Sequence, residues 1–297
     1  TQSFGRITGE NSWRNDTTVL FFGHVFLWSF IPWTLVAIAA LFHEIRNIRN
    51  SIQNRPSELY LISGIVMVSL ALSLSKFKLP HYIFVVYPLI AILSAKYIQH
   101  LKNHSTWAWI QLVLSISAAS VLIILLLYCF PSGGYVLPLF LFFLMIVSVI
   151  FMFKSISSEQ VVIPSFLLSV GIGLALNLHF YKELLQYQAN SMVGKWITEK
   201  KIDHDGFICF STGGHSVDFY AQRITPWKTN AENTIAALKP GIIVYASQDR
   251  YDDMIRYGAA PDSVTMFPNF RVQTLTMEFL NPATRDDAVK NNYLLFY

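Results

Sequence analysis

Residues 75–88 read Ser-Lys-Phe-Lys-Leu-Pro-His-Tyr-Ile-Phe-Val-Val-Tyr-Pro, so Lys76, Lys78, His81 and Tyr82 fall between two long apolar segments. Lysine ammonium groups at the edge of a hydrocarbon layer suit a lipid phosphate, whose anion sits at headgroup level while its apolar tail lies in the bilayer. Tyr82 could donate a hydrogen bond to the same phosphate. Alternatively, the lysines only snorkel from helix ends and the other two side chains fill the membrane interface. The residues alone leave both interpretations open.

The elements that must hold this stretch are apolar runs without a formal charge. About 20 apolar residues cross a bilayer as a helix. The runs are 18–42, 59–75, 82–95, 106–130, 135–153 and 161–180. Four are long enough to cross unaided, and 59–75 can be extended by its flanks. The run 82–95 crosses only if Lys96 snorkels, and could instead be re-entrant or tilted. The sequence thus predicts about six transmembrane helices within residues 18–180.

The loop charges predict an orientation for these helices. If residues 1–17 form an external loop, the inner loops carry six cations: Arg46, Arg49, Arg55, Lys96, Lys102 and Lys154. The later outer connections carry only Lys76 and Lys78. Cytoplasmic loops of membrane proteins are enriched in Lys and Arg. An even number of crossings then places residues 181–297 outside as well.

Charge density separates the C-terminal part from the rest. The chain has 297 residues and is only 13% charged, about half the share of an ordinary soluble protein. Residues 1–180 hold ten Lys/Arg and five Asp/Glu, whereas 181–297 hold twelve and thirteen. The fold class predicted is a multi-pass α-helical membrane protein with a C-terminal soluble α/β domain at 181–297.

Alternating strand and helix patterns support an α/β tail. Residues 184–200 predict an amphipathic helix that leaves the membrane. The other predicted elements are strands at Phe207–Phe210, 241–246, 272–280 and 293–297, and helices near 215–222, 230–238 and 249–257.

Other chemistry is less well supported. The net charge of +4 comes from the membrane part and forms no basic stripe, so no nucleic-acid partner is expected. No Cys/His grouping has metal-site spacing, and no metal or cofactor is expected. The Ser-Thr-Gly-Gly-His turn at 211–215 could bind an anion through backbone N–H groups, but fits a strand-to-helix turn better. Asp249, Asp252 and Asp253 could suggest a metal site, but they fall in a predicted exposed helix and fit a solvated helix face better.

A family resemblance adds to this picture. The pattern K-x-K-L-P-H-Y-I-x-x-x-Y-P at 76–88 resembles a segment shared by bacterial membrane glycosyltransferases of the aminoarabinose transferase and protein mannosyltransferase-like type. Three further segments are similar to that family: Gln-Ser-Phe-Gly-Arg-Ile-Thr-Gly-Glu-Asn at 2–11, Phe-Leu-Trp-Ser-Phe-Ile-Pro-Trp at 26–33, and a tail containing Asp218-Phe-Tyr. The resemblance covers the whole chain and is most specific at 76–88.

The resemblance implies sugar transfer from a polyprenyl-phosphate donor to a lipid or protein acceptor on the outer face of the bacterial cytoplasmic membrane. It nominates Arg6, Lys78 and Tyr82 as donor-phosphate ligands, with Lys76 and His81 beside them. The family's catalytic carboxylate lies in a first outer loop that this sequence does not contain. The chain is therefore expected to be the C-terminal half of the enzyme, inactive without its N-terminal half, and its tail is expected to be periplasmic.

A different class of function stays open, namely a transporter or a non-catalytic membrane scaffold with an external binding domain. Ion-coupled transporters usually keep ionisable groups within their spans. The six runs contain no Asp, Glu, Lys or Arg, which argues against ion coupling but not against a scaffold.

Overall fold

The computed structural model describes residues 18–48, 56–101, 103–131, 134–154 and 157–297. The predicted external loop 1–17, which includes Arg6, lies outside the described residues. The described chain forms two compact units. The first comprises residues up to 122 together with 139–173, and the second comprises 123–138 together with 174–297.

The first unit opens with helices of 9 to 19 residues. They are α1 (Phe21–Ser29), α2 (Thr34–Arg46), α3 (Pro56–Leu74) and α4 (Tyr87–Gln99), with a 3-10 turn at Pro80–Val85 before α4. The prediction of one continuous helix across 18–42 is wrong, because the helix stops after Ser29 and restarts at Thr34. Pro32 has no backbone N–H to donate and its ring clashes with the preceding turn, so it interrupts the helix there.

Three later helices are long and apolar enough to cross a membrane. They are α5 (His104–Cys129), α6 (Val136–Lys154) and α7 (Glu159–Leu185). With 26, 19 and 27 residues, they are about 39, 28 and 40 Å long, against about 30 Å of hydrocarbon. A helical membrane region is therefore confirmed, whereas crossings by the helices before His104 stay a prediction.

The second unit contains a mixed sheet with short helices. Its strands are β1 (Phe207–Phe210), β2 (Trp227–Lys228), β3 (Ile243–Ser247), β4 (Ser263–Asn269) and β5 (Lys290–Phe296). The order is β2-β1-β3-β5-β4, in which β1 is parallel to β2 and β3 while β5 is antiparallel to β3 and β4. The helices are α8 (Ala189–Glu199), α9 (His215–Ala221), α10 (Ala231–Ile235), α11 (Gln248–Arg256), α12 (Met277–Leu280) and α13 (Arg285–Ala288). The predicted α/β domain is confirmed.

Apolar cores cover both faces of this sheet. On one face, Val193 and Ile197 of α8 pack with Val217 of α9 against the strands. On the other face, Met254 of α11 packs against Phe210 and its neighbours. Because β1 is covered on both sides, all four of its residues are apolar and buried, which is the pattern of a central strand.

Two predictions in the tail are wrong. Residues 272–280 are not a strand, because the Thr276 hydroxyl accepts a hydrogen bond from the Phe279 N–H and caps α12 instead. The predicted helix over 184–200 is two helices, because α7 ends at Leu185 and α8 begins at Ala189. Strand β4 was not predicted. It contains Pro268, which a sheet tolerates on an edge strand such as this one.

The sheet is joined to the end of α7 by backbone pairing. The Phe270 N–H donates to the Tyr187 carbonyl at 2.8 Å, and Gln188 pairs with Asn269. Asn269 pairs with Lys290 at one end of β4, whereas Ser263 pairs with Phe296 at the other. The sheet end that holds Asn269 is therefore the end nearest to the helix terminus.

Candidate functional site

The candidate site is the connection between α3 and α4, within the first unit. Helix α3 ends at Leu74, and the 3-10 turn begins at Pro80. Leu79 is extended, with φ −121° and ψ 142°, as expected of a residue before proline. Pro80 sits in the first turn of its short helix, where its missing N–H removes no hydrogen bond. The connection is thus held open instead of continuing as a helix.

The structure places four of the five nominated residues in this connection. Lys76 and His81 are exposed, and Tyr82 is half-buried. The His81 and Tyr82 rings lie edge to face, with centroids 4.9 Å apart. Lys78 is only 5% exposed. Arg6, the fifth nominated residue, is outside the described residues, and the role of all five as phosphate ligands stays a prediction.

A buried lysine at this position has a clear electrostatic consequence. A charge moved away from water loses hydration and is stable only with polar or ionic partners. Lys78 has an interaction partner within the protein. At low local dielectric the same ammonium attracts an anion more strongly than a solvated lysine does. The chemistry that this connection can offer is charge-assisted hydrogen bonding to an anionic group at a helix end.

Aromatic packing beneath the connection fixes the start of α4. The Tyr87 ring lies 5.0 Å from the Phe30 centroid and 5.2 Å from the Phe84 centroid. Its hydroxyl is hydrogen-bonded to the Ser29 hydroxyl. Ile83, which is buried, packs into the same apolar cluster. Helix α1 and the 3-10 turn are thereby fastened to α4.

An ion pair that the sequence did not predict joins the start of α3 to the end of α4. Lys96 Nζ lies 3.0 Å from Glu58 Oε1. Snorkelling was expected of Lys96, but the ammonium is paired with a carboxylate of the neighbouring helix. A small cavity of about 100 Å³ adjoins the pair and is lined by His43, Glu44, Glu58, Lys96, Tyr97 and His100. A signal was available in the sequence. Two successive helices that run in opposite directions bring the start of the first close to the end of the second, so Glu58 and Lys96 were candidates for a pair.

A larger apolar cavity lies among the helices of the first unit. It measures about 380 Å³. Its lining includes Phe30, Trp33, Ala91, Ile98 and Val162. A cavity with this lining suits a hydrocarbon chain, because apolar side chains form most of its wall.

The other sequence candidates have structural explanations. The Ser247 N–H donates to the Thr212 hydroxyl at 2.9 Å, so the 211–215 turn is tied to the end of β3. Arg250 pairs with Asp253 at 3.1 Å on the surface of α11. Within the described part of the chain, no group of three His, Cys, Asp or Glu is arranged to hold a metal.

In the α/β domain, a buried cysteine and a buried tyrosine have raised pKa values. Burial raises the pKa of the Cys209 thiol to about 11, although its hydrogen bond with the Thr225 hydroxyl acts in the opposite direction. Burial also raises the pKa of Tyr245, whose hydroxyl donates to Asn190 and accepts from Asn292. Cys209 is therefore a neutral core residue at physiological pH and not an activated nucleophile.

Comparison with known proteins identifies the fold. No family model matches the chain, and no curated protein matches it. The crystal structure of ArnT from Cupriavidus metallidurans in the apo state matches with a TM-score of 0.60 at 16% identity, covering 98% of this chain and 54% of that one. ArnT from the same organism bound to undecaprenyl phosphate matches with a TM-score of 0.55 at 15% identity, covering 98% and 53%. The chain spans about half the length of the solved structures it matches.

These matches confirm the predicted resemblance to aminoarabinose transferase at the level of the fold. Nearly the whole chain takes part, so the membrane helices and the α/β domain both belong to the shared fold.

Proposed function

We propose that the chain is part of an integral-membrane glycosyltransferase that moves a sugar from a polyprenyl-phosphate donor to a lipid or protein acceptor on the outer face of the bacterial cytoplasmic membrane. The shared fold supports this proposal, since one of the matched ArnT structures is bound to undecaprenyl phosphate. Because the chain spans about half of the matched structures, we assign no catalytic residue within it.

The observation that carries the proposal is the burial of Lys78 in the connection between two helices. A lysine in a loop at a helix end is normally solvated. Here Lys78 is only 5% exposed, and Tyr82 and Ile83 of the same connection pack in an apolar cluster. We assign the donor phosphate to Lys78 and Tyr82, with Lys76, His81 and Arg6 as further ligands. The apolar cavity beside Phe30 and Trp33 offers space of the right character for part of the isoprenoid tail.

The proposed chemistry uses these cations on the leaving group. The bond between the anomeric carbon and the phosphate oxygen breaks, and a new bond forms from that carbon to the acceptor oxygen. Negative charge develops on the departing phosphate, and cations fixed at low dielectric stabilise it more than water would. The acceptor proton passes to a general base, for which an acidic residue elsewhere in the complete enzyme is the candidate.

The proposed arrangement in the membrane has six crossings. Besides α5, α6 and α7, the pair α1–α2 would cross as a broken helix, α3 would cross as one helix, and α4 would cross with the 3-10 turn at its outer end. The connection 75–86 and residues 181–297 would then lie on the outer side, where a donor phosphate is accessible. The inner-loop cations counted above support this orientation.

The test is sugar transfer by the full-length protein. Membranes containing it are incubated with polyprenyl-phosphate-linked radiolabelled sugars, and label is counted in the extracted lipid and in the protein fraction. The proposal expects incorporation that Lys78→Ala reduces and that Lys154→Ala, an exposed lysine at the end of α6, leaves unchanged. If well-folded wild-type protein transfers none of a panel of such sugars, the scaffold or transporter alternative is preferred.

A further inference from the structure

The second unit carries two exposed apolar side chains, Leu275 and Met277, in a segment close to the ends of two membrane-length helices. In residues 271–278 every side chain except that of Val272 is exposed. Met277 is 82% exposed and Leu275 is 40% exposed. Large apolar side chains exposed together on a domain surface usually mark a contact surface.

This segment is fastened to the helix ends by its neighbours in the chain. Phe279 is buried, and its ring lies 4.9 Å from the Tyr187 centroid and 6.2 Å from the Phe130 centroid. Phe130 directly follows α5, and Tyr187 lies two residues beyond α7. The aromatic contact therefore places α12 beside the points at which two membrane helices end.

A second contact gives the level of the segment relative to the bilayer. Tyr128, in the last turn of α5, is 60% exposed, and its hydroxyl donates to Asn281 Oδ1 at 3.5 Å. An exposed tyrosine at the end of a spanning helix is typical of the aromatic belt at the membrane–water interface. The Asn281 N–H donates a hydrogen bond to the Met277 carbonyl. Met277 is therefore within one helical turn, about 5.4 Å, of the residue that contacts the Tyr128 hydroxyl.

The surface around Tyr128 continues the apolar character. Leu178 and Tyr181 of α7 are exposed in the same unit, as residues of a spanning helix that face lipid are. Arg271 and Glu278 flank the two apolar side chains and are exposed, which suits a zwitterionic headgroup layer. The position of this segment beside the ends of two lipid-facing helices favours lipid over a soluble protein as its partner.

We propose that Leu275 and Met277 insert into the boundary between lipid headgroups and acyl chains, so that the loop 271–277 and α12 rest the α/β domain on the bilayer surface. The partner is the lipid bilayer itself. This contact is separate from the donor-phosphate site, which lies in the first unit, and it does not depend on the proposed sugar transfer.

The experiment places a fluorophore at each position in the full-length protein. Leu275→Cys and Met277→Cys are labelled with bimane and reconstituted into phosphatidylcholine–phosphatidylglycerol nanodiscs, with or without nitroxide near the headgroup end of the acyl chain. Iodide is the aqueous quencher. The matched control is Tyr257→Cys, since Tyr257 is 59% exposed at the end of α11, near the sheet end remote from Asn269. Wild type is labelled in parallel as a blank, because Cys129 and Cys209 are buried.

We expect lipid-bound nitroxide to quench the labels at 275 and 277 at least twice as strongly as iodide does, with the reverse order at 257. Two results would overturn the proposal. Iodide quenching at 275 and 277 equal to that at 257, without lipid quenching, would mean that the segment faces water. Protection from both quenchers would mean that protein, and not lipid, covers it.

Discussion

The guanidinium of Arg285 lies over the ring of Phe130, with its central carbon 4.4 Å from the ring centroid. The same group donates hydrogen bonds to the Cys129 carbonyl and, at 2.9 Å, to the Phe279 carbonyl. One side chain of the α/β domain thereby satisfies a carbonyl at the end of α5 and stacks on the residue that follows it.

Arg285→Lys is expected to loosen the α/β domain from these helix ends. Lysine retains the charge but has neither the planar face that stacks on an aromatic ring nor the fork that reaches two carbonyls. The expected loss of stability is about 2 kcal/mol, from one cation–π contact and one charge-assisted hydrogen bond. Hydrogen exchange of residues 270–285 should speed up by about 30-fold. Arg256→Lys, an exposed arginine in α11, should leave exchange unchanged, and equal exchange in both variants would contradict the assignment.

The close approach of α8 and α9 depends on Gly194. A Cβ at this position would lie 2.8 Å from both the Val217 carbonyl oxygen and the Tyr220 Cβ. Because backbone cannot yield as a flexible side chain does, Gly194→Ala is expected to destabilise the domain by about 1–3 kcal/mol. Thermal unfolding measures this change. The control is Gly206→Ala, whose nearest neighbours would be at 3.8 and 4.0 Å and whose effect should be within about 0.5 kcal/mol.

Cys209 predicts an alkaline loss of stability in the α/β domain. The thiol has a pKa of about 11 when folded, against an ordinary value of 9.0 when unfolded. Well below pH 9 the thiol is protonated in both the folded and the unfolded state, so the contribution is fully present. The contribution is lost as pH rises from 9 to 11, because the thiol of the unfolded state loses its proton before that of the folded state. The free energy of unfolding falls by about 3 kcal/mol in total. Cys209→Ser should reduce the fall in the free energy of unfolding, measured with urea, between pH 8 and 9, where Tyr245 is still mostly protonated even in the unfolded state because its ordinary pKa is 10.0. An unchanged slope would show that this thiol does not titrate differently on folding.

The proposed orientation can be tested with single cysteines in intact cells. Ser157, before α7, is proposed to face inward, and Lys239, exposed between α10 and β3, is proposed to face outward. A membrane-impermeant maleimide should modify Lys239→Cys and not Ser157→Cys until the cells are opened. Modification of Ser157→Cys in intact cells would contradict six crossings with an external tail.

The sequence predicted those helices and strands that are determined by residues close to one another in the chain. The charge-free runs predicted α5, α6 and α7, and Pro80 predicted the extended Leu79. Strand β1 was predicted within its observed limits, because four successive apolar residues have no polar face. Competing local signals caused the errors. Thr276 caps a helix where alternation indicated a strand, and Pro268 hid an edge strand.

The contacts that join distant parts of the chain could not be predicted in this way. Arg285 reaches the Cys129 carbonyl across 156 residues of sequence, and Lys96 reaches Glu58 across 38. The burial of Lys78 was not predicted either, since a lysine between two apolar runs is expected to be solvated, whereas its exposed fraction is 5%.

The central claim is that Lys78 and Tyr82 hold a lipid phosphate, and binding of polyprenyl phosphate to the full-length protein in nanodiscs tests it most directly. A charge-assisted hydrogen bond contributes roughly 1.5–3 kcal/mol, and about 1.4 kcal/mol is a factor of ten. Lys78→Ala should therefore weaken binding by about ten- to a hundredfold. Lys78→Arg should retain part of the affinity, and Tyr82→Phe should lose less, since it removes one neutral donor. Lys154→Ala is the control. If Lys78→Ala, correctly folded, binds polyprenyl phosphate with wild-type affinity, the phosphate assignment is contradicted.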